Sequence, residues 1–437
     1  MRRLGLALAL AIALLVPAAP AAALDRYVPM KVPPGPGPAK YDRVFVQQLG
    51  PAAARTVLVL VPGTNGGAGG VAPVARDIVR RVPGLQVWIV DRREQAFEDT
   101  SVFKSGDPQR AQDYYLVFQY RRVTGRDAKF VADWGLKLQL SDLRTVVRRA
   151  GAGDRRVILG GHSAGASTAV AYAAWDFAGR PGYRDIDGLV LIDGGLLGSF
   201  RPAGLARARR ILPKLRRGKV FNDVLGLGIP EINGIFTEVG ALWAYKRPDE
   251  PSVLQQYPAL PDSVKPRVRV TNEALLGYAF DETTSPDFLN DIHVHAGRLD
   301  RSGDPRGWHD GELTPIRRLA KAWAAEAPNA TEWYYPLRLR LDLDAAHPLR
   351  QTGAARYLGL RLMHGSEIDV PLYAYSTVMT EGRVARGARR LVRIARVPSS
   401  TVVDDRGASH LDPLSAAPGT NRFLKTVVPF LKRVRSR

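Results

Sequence analysis

The sequence predicts an α/β protein: a mostly parallel sheet with flanking helices, interrupted by one large, mainly helical insertion. Three observations predict it. Strand-length apolar runs alternate with segments of helical spacing from Tyr41 to Gly195. The alternation stops after that point and resumes only at "VPLYAYSTV", Val370 to Val378. Between the second helix and the break, "VILGGHSAGAS" (Val157 to Ser167) sets a buried run, a Gly-x-Ser-x-Gly turn and an alanine-rich helix in immediate succession.

The elements follow in chain order. Arg2 and Arg3 precede an apolar run, Leu4 to Val16, and Ala21-Ala22-Ala23 supplies small residues. That is the pattern of an export signal over residues 1–23, and it predicts a secreted, extracellular or cell-wall-associated protein. The run is short for a permanent membrane span. Residues 24–40 include the proline-rich "VPMKVPPGPGPAK" and read as an extended lead-in.

The first part of the core, 41–195, opens with "DRVFVQQL", read as an edge strand. "RTVLVLVPG" is continuous and valine-rich, as a strand buried on both faces should be. "GGVAPVARDIVRRV" places Val71, Val74, Ile78 and Val82 on one helical face, and "LQVWIVD" is a second buried strand. An amphipathic helix ("DWGLKLQLSDLRTVVRRAG"), a strand ("RRVILGG"), a helix ("GASTAVAYAAWDF") and a strand ("IDGLVLIDGG") complete this part. Residues 196–369 form the insertion, with helical stretches such as "TPIRRLAKAWAAEA". Residues 370–437 return to the core with a strand, the helix "ARGARRLVRIA", a last strand "SSTVVDD" and the C-terminal helix "NRFLKTVVPFLKRV".

Composition narrows the chemistry. The 437 residues contain no cysteine, which excludes disulfides, thiol catalysis and cysteine-zinc sites. The net charge of +21 suits a solvated arginine-rich surface or contact with an anionic cell wall or membrane. No nucleic-acid motif accompanies it, so no nucleic-acid partner is expected.

Ser163 is the candidate nucleophile. A serine on a tight strand-to-helix turn projects its hydroxyl into a cleft, and flanking glycines remove side chains that would clash. The base must come from seven histidines. His410, in "GASHLDPL" after the last strand, would reach the C-terminal edge of the sheet, whereas His162 is expected to point away from the serine. The acid that orients the base is Asp193, at the end of "GLVLIDGG", or Glu381, in "STVMTEGR", with Asp404 a further candidate. The oxyanion donors are the backbone N–H of Ala164 and one from "VPGTNGGAGG", with Thr64 first and Asn65 next.

These residues resemble the α/β-hydrolase family, in particular secreted serine esterases and lipases, over the two core parts. The resemblance implies an α/β-hydrolase fold with the insertion as its cap or lid. It implies a serine carboxylic-ester hydrolase acting on lipid or other small-molecule acyl esters, without metal or organic cofactor. "PGTN" departs from the His-Gly start common after that strand in this family. The same machinery would serve an acyltransferase, and the fold could instead belong to a non-catalytic binder.

Three further patterns compete for attention. Gly67 to Ala72 fits G-x-G-x-x-A with Asp91 ending a later strand, a dinucleotide-binding fingerprint. "DIHVH" sets His293 and His295 two apart, near Asp291 and His309, a spacing open to metal. "GLARARRILPKLRRGK" is basic with an apolar stripe, suited to a cap helix or an anionic membrane surface.

Overall fold

The computed structural model describes residues 23–199, 202–311, 313–324 and 329–436. The expected export signal therefore lies outside the described residues, apart from Ala23.

An eight-stranded sheet organises the chain. Its strands are β1 (Ala23–Lys31), β2 (Arg43–Pro51), β3 (Thr56–Val61), β4 (Leu85–Asp91), β5 (Arg156–His162), β6 (Gly188–Ile192), β7 (Leu372–Ser376) and β8 (Ser400–Asp404). They lie in the order β1-β2-β4-β3-β5-β6-β7-β8. β1 and β2 are antiparallel to their neighbours, and the other six run parallel. This is the α/β-hydrolase fold.

Alternation along each strand divides the core into two layers. Val57, Val59, Val61, Leu159 and Leu191 face one side, which is covered by α2 (Leu136–Ala150) and α3 (Ala164–Ala174). Leu58, Leu60, Ile158, Val190 and Tyr375 face the other, where α1 (Ala68–Arg81) and the C-terminal helix (Arg422–Arg435) pack. Burial on both faces explains the continuous apolar runs of the central strands.

The sheet begins earlier than the composition suggested. Ala23–Lys31 pairs along its whole length with β2, so "DRVFVQQL" is an interior strand and part of the lead-in takes the edge. Pro29 is tolerated because an edge strand pairs on one side only.

The insertion carries a helix at Ile232–Lys246, another at Asn272–Phe280, one at Ile316–Trp323 and one at Leu337–Ala345, together with a hairpin of Gly297–Gly303 and Arg306–Asp310. It does more than cover the sheet edge. Residues 329–336 run as a strap along the loop that follows β3. Gly67 N–H donates to Ala330 C=O at 2.8 Å, Gly69 N–H to Asn329 C=O at 2.8 Å, and Glu332 N–H to Asn65 C=O at 2.9 Å.

Candidate active site

Ser163 stands between β5 and α3 at φ +54° and ψ −119°. A non-glycine residue holds such a conformation only where its surroundings enforce it. The enforcement is visible in the neighbouring glycines. A Cβ at Gly161 would lie 2.4 Å from the Gly165 backbone, and one at Gly165 would lie 1.9 Å from the Val61 carbonyl oxygen. Both positions need glycine for the turn to close. Ala164 is the first residue of α3, so its N–H is one of the donors that a helix start leaves unpaired, at the positive end of the dipole.

His410 lies in the loop after β8, lining the same cleft as Ser163. Its Nδ1 is 2.6 Å from Asp193 Oδ2. Asp193 follows β6 directly, and the adjacent end of β7 fixes it: Thr377 N–H donates to Oδ1 at 2.8 Å, and Thr377 Oγ1 donates to Oδ2. Burial would raise the Asp193 pKa, but the bonds from His410 and Thr377 outweigh it and hold the carboxyl below its ordinary value. The carboxylate therefore stays ionised. With Nδ1–H donated to Asp193, the Nε2 of His410 is left to act as acceptor.

Glu381 is elsewhere. It sits exposed in a left-handed turn at φ +49° after β7, and its carboxylate makes no hydrogen bond or ion pair among the described residues. Of the acids considered, the structure brings Asp193 to His410 and leaves Glu381 at the surface. Asp404 ends β8 and pairs with Arg406 at 3.0 Å.

Thr64 and Asn65 line the cleft with Ser163 and His410, as does Gly63, where an added Cβ would sit 3.1 Å from Ser163 Cβ. The loop expected to supply an oxyanion donor thus lies directly against Ser163. His162 packs against His410. Its ring centroid is 4.3 Å from that of His410, and its Nε2–H donates to the His410 carbonyl at 3.0 Å. Burial, then the neighbouring His410, push its pKa down to about 3, so it stands against His410 as a neutral ring.

Thr377, which holds the Asp193 carboxylate, was not singled out from the sequence. Its signal was available in principle: β6 and β7 are parallel with Ile192 opposite Tyr375, which brings Asp193 and the residues after Tyr375 to one edge.

The cleft is also walled by Val71, Val224 and Trp323. Asn233, Thr237, Leu289 and Ile292 line both the cleft and a second cavity inside the insertion. That cavity is lined mainly by apolar side chains, among them Phe236, Trp243, Leu254, Leu275 and Phe280.

The competing patterns find structural uses. Asp91 caps α1 by accepting from Ala68 N–H at 2.7 Å and receives the Tyr27 hydroxyl at 2.7 Å. The strap carbonyls occupy Gly67 and Gly69, so this helix start offers no cradle to a dinucleotide. His295 is held by Asp412 at 2.6 Å and Glu282 at 2.7 Å, and among the described residues no group of three or more metal-ligating side chains is arranged to hold an ion. The basic segment forms a helix, Leu205–Arg216, with Ala208, Leu212 and Leu215 buried. Among the described residues no helix is long and apolar enough to cross a membrane.

The chain was compared with known proteins. No protein-family model and no curated sequence matches the chain. Solved structures do. A candidate lipase from Sulfolobus solfataricus is similar at 15% identity and TM-score 0.49, covering 93% of each chain. An epoxide hydrolase from an endophytic Streptomyces is similar at 12% identity and TM-score 0.45, covering 95% of each. Monoglyceride lipase of Saccharomyces cerevisiae is similar at 11% identity and TM-score 0.38, covering 90% of this chain and 91% of its own. The strand order and the parallel crossovers define the α/β-hydrolase fold.

Proposed function

We propose that the protein is a serine hydrolase that cleaves carboxylic esters through an acyl-enzyme. The observation that carries this reading is the strained Ser163 elbow sharing one cleft with His410, whose Nδ1 is bound to a buried, ionised Asp193. Ser163 Oγ attacks the ester carbonyl while His410 Nε2 takes its proton. Asp193 holds the imidazole in the right tautomer and stabilises the imidazolium. The developing oxyanion accepts from the N–H groups of Ala164 and Thr64. The tetrahedral adduct collapses, His410 protonates the leaving alcohol, and water then frees the acyl group by the same route.

The apolar cavity behind Leu289 and Ile292 supports an ester with an apolar acyl or alcohol group. The N-terminal signal pattern and the +21 charge support an exported enzyme working near an anionic surface.

The test is labelling with a fluorophosphonate probe. Wild type should be labelled and Ser163→Ala should not. An unlabelled wild-type protein that also leaves p-nitrophenyl esters intact would refute the reading.

A further inference from the structure

Arg92 follows β4 and is 3% exposed, yet it carries a full positive charge. A buried guanidinium needs partners for its five N–H groups. Two of its bonds go to the backbone of the oxyanion loop. Nη1 donates to the Pro62 carbonyl at 3.2 Å and Nη2 to the Gly63 carbonyl at 2.8 Å. The others go to Glu332 in the strap, with Nη2 2.5 Å from Oε2 and Nε 3.2 Å from Oε1. The Tyr335 ring covers the guanidinium, its centroid 5.1 Å from Cζ.

A trans peptide is planar, and its N–H points opposite to its C=O. Tying the Gly63 carbonyl back to Arg92 therefore turns the N–H of Thr64 the other way. That N–H has no acceptor among the described residues, and Thr64 lines the cleft beside Ser163. The loop is fastened from the other side as well. Asn65 Nδ2 donates to the Glu332 carbonyl at 3.0 Å, and Asn222 Nδ2 donates to Asn65 Oδ1 at 2.7 Å.

The strap itself is anchored by buried acids. Glu238 accepts from Thr331 N–H at 3.0 Å and from Trp333 Nε1 at 3.1 Å, and Glu98 accepts from Trp333 N–H at 2.7 Å. Glu94, the remaining carboxyl beside Arg92, lies 3.5 Å from it, and burial together with Glu332 raises its pKa well above the ordinary range.

We propose that Arg92, clamped by Glu332, is the positioning residue of the oxyanion hole. It fixes the peptide plane that presents the Thr64 N–H, and the insertion takes part in transition-state stabilisation through its strap. This rests on Ser163 being the nucleophile. A preorganised donor acts on charge that appears only in the transition state, so its loss should reduce kcat and spare KM.

The test uses the full chain carrying Arg92→Lys, which keeps the charge but cannot reach both carbonyls, and the double variant Arg92→Met with Glu332→Met. The double variant removes both charges together and so leaves neither of the two buried unpaired. Glu332→Gln keeps the shape of the clamp and serves as a third, mildest arm. With a p-nitrophenyl ester, kcat should fall about 100-fold in the first two and about 10-fold in the third, with KM within about threefold of wild type. The inhibition constant of a phenylboronic acid, which mimics the tetrahedral adduct, should weaken by a similar factor. Binding of an unreactive ether analogue should not change. A purely structural role would lower Tm without this parallel between kcat and boronate. If any folded variant keeps both kcat and boronate affinity within threefold of wild type, the proposal fails. If the wild type itself takes no fluorophosphonate label, the catalytic reading has failed instead.

Discussion

His410 and His295 each hold a carboxylate 2.6 Å from Nδ1, and only one of them is equipped to be a base. At His410 the second ring nitrogen is left to the cleft. At His295 it is taken by Glu282 at 2.7 Å, and the ring becomes a cation between two acids. The bonds to Asp412 and Glu282 raise its pKa to about 10. The pair ties the insertion, through Glu282 and His295, to the loop that carries Ser409, His410 and Asp412. A histidine–carboxylate pair is thus not evidence of catalysis by itself. What matters is whether the other nitrogen is free and a nucleophile stands in reach.

The comparison can be broken most severely at the nucleophile. Ser163→Ala should lower kcat for a p-nitrophenyl ester by about 10⁶-fold, measured at saturating substrate. His410→Gln should cost nearly as much, because serine and base act as a unit. His295→Gln should keep kcat within about tenfold of wild type, since its role is to hold the loop. Equal losses in the two histidine variants would erase the distinction drawn between them.

A smaller effect sharpens the same contrast by pH. The folded pKa of His295 is raised to about 10 from an ordinary value near 6.5. Its ion pairs therefore stabilise the fold fully below about pH 6.5 and lose that contribution as pH rises through about 10. The Tm gap between wild type and His295→Gln should be widest at pH 6 and close towards pH 10. A gap that widens with pH would show that His295 is not held as the cation.

The sheet was largely legible because strands buried on both faces must be apolar throughout, and the elbow because its glycines are sterically compelled. Ser163, His410 and Asp193, one of the acids considered, follow from strand ends and chain order. What escaped was set by tertiary contact. β1 was obscured by Pro29, which an edge strand accepts, and by the proline-rich stretch that follows it. The strap has no periodicity to detect, since its order comes from bonds to Gly67, Glu98 and Glu238. Arg92 and Glu332 are 240 positions apart, and nothing local marks them as partners. Glu381 could be separated from Asp193 only by where its turn points, which chain order does not specify.

The most direct test of the account compares Asp193→Asn with Glu381→Gln by kcat/KM on one p-nitrophenyl ester, with folding checked by Tm. The account predicts a loss of about 10⁴-fold for Asp193→Asn and no more than about twofold for Glu381→Gln. A folded Asp193→Asn protein with near wild-type activity, or a collapse confined to Glu381→Gln, would contradict it.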